Sequence, residues 1–194
     1  MMKNSLIALL LSLPLSAAAA DGKVVSEQVK IGAGKEIHVA MDKGQLAVVP
    51  SGSGTLTYRV EFVPERGRSL LKLLHIGNPS AADYERSSAS FDAATGTLAI
   101  RTGEHLKAIV KIGVPVKQPL DLNLTVGAAE IGPLSGKVKA FVATGDLKYD
   151  ASALAAGVCV SAALRLGEVR NSRDVDCKSV GTTLRGNLGT ISVN

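Results

Sequence analysis

Tryptophan is absent, and aromatic residues make up only 3% of the chain. Sugars and nucleobases stack on flat aromatic faces, so this poverty argues against a stacking lectin and against a single-strand nucleic-acid platform. A polar-only carbohydrate groove stays open. The 22 Lys and Arg and 17 Asp and Glu are interleaved without long blocks, so the basic stripe of a nucleic-acid binder is missing too. Metal-ligand spacing is lacking: His38, His75 and His105 lie far apart, and two cysteines make no zinc site alone. Helical periodicity is nearly absent. No apolar run reaches the ~20 residues a bilayer-spanning helix needs.

The beginning of the chain reads as an export leader. Lys3 supplies a positive start, Leu6 to Leu13 an apolar core, and Ala18-Ala19-Ala20 an A-x-A cleavage site before Asp21. No cysteine directly follows the apolar core, so lipoprotein anchoring has no acceptor. Cleavage after Ala20 leaves 174 of the 194 residues, enough for one domain with a sizeable core. Loss of Lys3 lowers the formal net charge from +5 to +4. The expected setting is the bacterial periplasm, with the cell surface as alternative.

Export permits a disulfide between Cys159 and Cys177, which would contribute about 3 kcal/mol by constraining the unfolded chain. The local pattern opposes it. In Gly157-Val158-Cys159-Val160 the valines claim one face and Cys159 the other, whereas Cys177 shares the face of Val175. With valines inward, one sulfur points out and the other in, so a bond and two free thiols both remain open.

What the chain has in quantity is two-residue alternation, the mark of half-buried strands. Ile37, Val39 and Met41 alternate, as do Leu46 and Val48. Leu56, Tyr58, Val60 and Phe62 share a face, followed by Leu98 and Ile100, then Val110, Ile112 and Val114. Leu120, Leu122, Leu124 and Val126 form the cleanest strand. Glycines punctuate the pattern, and Gly52-Ser53-Gly54 reads as a hairpin turn.

From Leu120 a short phrase recurs, pairing a glycine or small residue with a polar residue and an aliphatic. It appears as Ala129-Glu130-Ile131, Gly145-Asp146-Leu147, Gly167-Glu168-Val169 and, more weakly, Gly189-Thr190-Ile191. Its aliphatics are 16, 22 and 22 residues apart. Periods near twenty residues indicate stacked strand-and-turn coils. On this reading glycine makes the tight turn, and the acid accepts local backbone N–H bonds or simply faces water. If Glu130, Asp146 and Glu168 stood on equivalent coils, their carboxylates would form a ladder suited to Ca²⁺. The Gly- and Asp-dense nonapeptide of calcium-binding β-rolls is missing, so turn chemistry is the preferred reading.

The segment 66–86 departs from the alternation. Leu70, Leu73 and Leu74 fall at helical spacing, with Arg66, Arg68 and Lys72 near the start. A cap over the open end of the strand stack is the plainer reading. A basic, apolar loop for partner or membrane contact is the alternative, with those three cations as candidate contacts. Catalytic templates fail: Gly52-Ser53-Gly54 lacks nucleophile-elbow spacing, and Gly32-Ala33-Gly34-Lys35 lacks the rest of a phosphate loop. His38 faces away from Ile37 and Val39, toward water. No catalytic residue, metal ligand or cofactor site is expected.

The leader, the Gly44-Gln45-Leu46-Ala47-Val48 strand, the run Val114-Pro115-Val116-Lys117-Gln118-Pro119-Leu120 and the serial phrase together resemble one family. They are similar to the putative-adhesin or "toastrack" β-repeat domains of bacterial envelope proteins, over about Val24 to Asn194. The resemblance implies an all-β strand stack with roles in adhesion, sensing or scaffolding, and no catalytic residues. The chain departs from it in the 66–86 insertion and in a degenerate last repeat, Gly181-Thr182-Thr183-Leu184. The expectation is a signal peptide, 1–20, then a single all-β domain, 21–194. Less regular strands, 21–118, would form the first coils, and 119–194 the repeats. The architecture is a right-handed β-helix or β-solenoid-like stack, with a β-sandwich as alternative. The function read from this is a non-enzymatic envelope interaction module, its partner an envelope protein or surface polymer. An envelope enzyme or small-ligand carrier competes, and requires a concave pocket with convergent polar groups. A third reading has the Leu-rich insertion touching anionic lipid.

Overall fold

The computed structural model describes residues 22–52, 54–65, 79–156, 158–171 and 179–194. Among the described residues, ten strands and one short helix run in the order β1 (Lys23–Lys30), β2 (Ile37–Ser51), β3 (Thr55–Pro64), α1 (Ala81–Arg86), β4 (Ser88–Asp92), β5 (Thr97–Arg101), β6 (Leu106–Pro115), β7 (Leu120–Ile131), β8 (Val138–Tyr149), β9 (Val158–Asn171) and β10 (Ser179–Val193). The all-β expectation holds, as one large mixed sheet. Its main path is β1-β3-β6-β2-β7-β8-β10-β9. From β6 to β9 every neighbouring pair is parallel; β1 and β3 join antiparallel at one end. Beside the first half of β2 lies β5, which carries β4 on its other side.

Strands β2, β7, β8 and β10 bury alternate residues, then change phase. In β2 the buried residues are Ile37, Val39, Met41 and then Leu46, Val48; in β7, Leu120, Leu122, Leu124 and then Ala129, Ile131. In β8 they are Val138, Ala140, Val142 and then Leu147, Tyr149. In these strands the inward step is two residues except at one place, where it is five. At that place each strand has a glycine: Gly44, Gly127, Gly145, Gly189 and Gly167 lie side by side across β2, β7, β8, β10 and β9. Their φ angles are 136° to 143°, a region closed to side chains. A Cβ on any of them would sit 1.6–1.9 Å from a backbone oxygen of the neighbouring strand. The inward residues of both strand halves join a single core. The sheet therefore folds along the glycine line and wraps its own apolar face, each fully buried Leu or Ile contributing roughly 1.5–3 kcal/mol.

Several sequence expectations change. The Gly-acid-aliphatic phrase lies inside strands, at the fold line, and not in the turns between coils. Its first member is Gly127-Ala128-Ala129: Gly127 pairs with Gly145, which sets Glu130 opposite Lys148. The glycines are thus 18, 22 and 22 residues apart. Gly189-Thr190-Ile191, the weak match in sequence, occupies a full ladder position, with Ile191 buried. Val126 turns outward because it immediately precedes the fold-line glycine. Coils do not stack in chain order, since β10 enters between β8 and β9. The N-terminal strands are not simple first coils: β2 lies inside the sheet, and β1 and β3 run antiparallel. Gly52 and Gly54 connect β2 to β3, but β6 lies between those strands, so the segment is no hairpin.

Helix α1 went unread in the sequence, although Ser80 and Asp83 form a capping box. Hydrogen bonds from Ser80 hold the Asp83 carboxylate below its ordinary pKa. The proposed helix around Leu70, Leu73 and Leu74 lies outside the described residues. Among the described residues, no helix is long and apolar enough to cross a membrane.

Candidate functional site

Outward residues of the second strand halves form a broad exposed face. Register places two rows on it. The row just after the glycine line reads Glu61 (β3), Ile109 (β6), Gln45 (β2), Ala128 (β7), Asp146 (β8), Thr190 (β10) and Glu168 (β9). Two residues farther along each parallel strand, the second row reads Arg59, Lys111, Ala47, Glu130, Lys148, Ser192 and Arg170. The first row carries three acids and no base, and the second carries four bases and one acid.

In the middle of this face the side chains are small. Ala47 and Ala128 leave a trough of about 400 Å³, floored by the backbones around Leu46, Val110 and Ala129. Ile109 adds apolar surface, and Gln45, Glu130, Asp146 and Lys148 supply the polar rim. The trough thus presents an amide, two carboxylates and an ammonium over an apolar floor, a set suited to orienting a polar ligand. At the β9 end, Arg170 donates from Nε to Glu168 Oε1 at 2.7 Å and from Nη2 to Oε2 at 2.8 Å. This two-point bond lowers the Glu168 pKa and raises that of Arg170.

The three acids singled out in the sequence do not form one ladder. Asp146 and Glu168 share a row with Thr190 between them, while Glu130 stands in the basic row beside Lys148. Among the described residues no group of three or more His, Cys, Asp or Glu side chains is placed to hold a metal. Gln45, Ala47, Ala128 and Lys148 were not read as site residues. Their signal is the outward position of each strand once the glycines are aligned.

Before the fold line, the outer face has a second polar cluster. His38 is 3.8 Å from Glu36 and 3.7 Å from Asp121, and Lys139 Nζ lies 3.2 Å from Glu36. His38 is half exposed, as its strand position implied. Lys35 of the glycine-rich loop donates to the Ala93 and Ala94 carbonyls and serves the fold. The candidate contacts Arg66, Arg68 and Lys72 lie outside the described residues. Cys159 is buried and disulfide-bonded, and the chain's other cysteine, Cys177, also lies outside the described residues. The alternation behind the opposing-face argument fails locally. Cys159 and Val160 are both buried, opposite a register shift between Val180 and Thr182.

The fold has a solved counterpart. It is shared with a structure described as a "putative cell adhesion protein" from Clostridium sporogenes, at a TM-score of 0.51 and 11% identity, covering 89% of this chain and 99% of that one. A "putative adhesin" from Bacteroides fragilis aligns at a TM-score of 0.38 and 12% identity, over 89% of this chain and 97% of that one. No family model and no curated protein sequence matches the chain.

Proposed function

We propose that the chain is an exported, non-enzymatic interaction module of the cell envelope, adhesin-like in mode, which binds through the outer face of its folded sheet. The leader at residues 1–20 supports export to the periplasm or beyond. The fold likeness to the clostridial structure supports an adhesin-like reading at the level of architecture. The observation that carries the proposal is the wide, exposed strand face itself, two outward rows of side chains crossing seven strands with the trough open at their middle. Its partner is an envelope protein or surface polymer.

Filling the trough tests this. Ala47→Trp adds bulk on the outward side of β2 and leaves the buried Leu46 and Val48 in place. The mature variant should retain its cooperative melt yet lose about tenfold or more of its capture on isolated envelopes, roughly 1.4 kcal/mol of binding. Equal capture by the variant and the parent chain would remove the trough from the contact surface.

A further inference from the structure

The two rows of the outer face are complementary to themselves. A twofold axis in the plane of contact, parallel to the rows and midway between them, exchanges acidic row for basic row. It sets each strand against the same strand of a second copy. Asp146 then meets Lys148 of the mate, Glu61 meets Arg59, and Glu168 meets Arg170. The one acid of the basic row, Glu130, meets Ala128, and Ile109 lies along the stem of Lys111. Symmetry doubles every pair, and no like charges face each other.

We infer that this face pairs with a second copy of the chain, strands antiparallel and sheets stacked face to face. The inference rests on the reading of the outer face as the contact surface, and it identifies one partner for it. The strip spans seven strands, about 30 Å by about 15 Å at ordinary strand spacing, or on the order of 900 Å² over both copies, within the weak and transient class. Stacked sheets cross at about 30°, so alignment is best near the middle of the strip and poorest at its ends. The central Asp146–Lys148 pairs therefore contribute most. The terminal Glu168 contributes least, since it is already held by Arg170 of its own chain. Pairing covers the trough, so a second copy and an envelope partner compete.

Sedimentation velocity of the mature chain over a concentration series, at about 0.02 M and about 0.5 M salt, reads this directly, because salt screens exposed charges. A dimer should grow with concentration at low salt and dissociate at high salt. Asp146→Lys and Lys148→Asp, each alone, should be monomeric. An equimolar mixture of the two should form a heterodimer, and the double exchange should restore self-pairing. These positions are exposed, so melting curves should match the parent chain. A monomeric parent chain at low salt, a persisting dimer in either single exchange, or a mixture that fails to pair would overturn the inference. A monomeric parent chain whose envelope capture still falls with Ala47→Trp would overturn pairing and leave the proposed function standing. Salt-sensitive pairing with capture indifferent to Ala47→Trp would do the reverse.

Discussion

Strands β8 and β9 carry the same phrase, Gly145-Asp146-Leu147 and Gly167-Glu168-Val169, yet it does different work in each. Both glycines have φ of 136° and stand on the same fold line. Leu147 is 1% exposed, because β8 is covered by β7 on one side and β10 on the other. Val169, at the matching inward position, is 40% exposed, because β9 ends the sheet among the described residues. The phrase specifies a bend in the strand. Place in the stack decides how much stability the bend secures.

The largest expected contrast is at the glycines. Gly145→Ala drives a Cβ to 1.6 Å from the Gly127 oxygen inside the sheet and should cost about 4 kcal/mol or more in urea unfolding. Gly167→Ala meets the Gly189 oxygen at 1.9 Å, but β9 can peel from β10 to relieve it. That variant should lose about half as much or less and show its damage as faster amide exchange confined to β9. Equal losses at the two sites would mean that edge and interior are equally constrained.

Next come the aliphatics. Leu147→Ala opens a cavity in the core and should cost about 2–5 kcal/mol, whereas Val169→Ala should cost under about 1 kcal/mol at its exposed position. Denaturant midpoints at matched slope measure both. Reducing the Cys159 disulfide should raise amide exchange in β9 and leave β8 nearly protected. Protection lost evenly across both strands would contradict an edge-specific role for the bond.

The smallest effect belongs to the charges. Bonding to Arg170 lowers the Glu168 pKa below its ordinary 4.5. Its contribution to stability is thus complete above that value and is lost as pH falls through the lowered one. Glu168→Gln should flatten the acid limb of the stability–pH curve slightly and leave the neutral plateau unchanged. The buried cap Asp83 has the same sign, being lowered from 3.8, so Asp83→Asn should act over the same acidic range.

How much of this was legible depends on distance along the chain. Alternation identified the strands and most inward residues, because a half-buried strand needs an apolar residue at every second position. The 22-residue spacing exposed the later repeats. The phase change was also written there, as an aliphatic, two residues, glycine, one residue, aliphatic: Met41 to Leu46, Leu124 to Ala129, Val142 to Leu147, Leu164 to Val169. Assigning glycine to turns concealed it. Local alternation could not disclose the burial of both Cys159 and Val160, since their faces are set by a register shift in the opposing strand. Nor could it place the trough, whose lining comes from β6, β2, β7 and β8 and spans residues 45 to 148.

By itself the sequence determined the all-β class, the inward residues and the glycine positions, because each follows from short-range sterics and from the two-residue period of a strand. Only the tertiary structure decided that β10 enters between β8 and β9, that five distant glycines align on one line, and that small outward residues gather into a trough between rows of opposite charge. These depend on which strands become neighbours, and strand pairing joins residues far apart in the chain through backbone hydrogen bonds that every residue type can make.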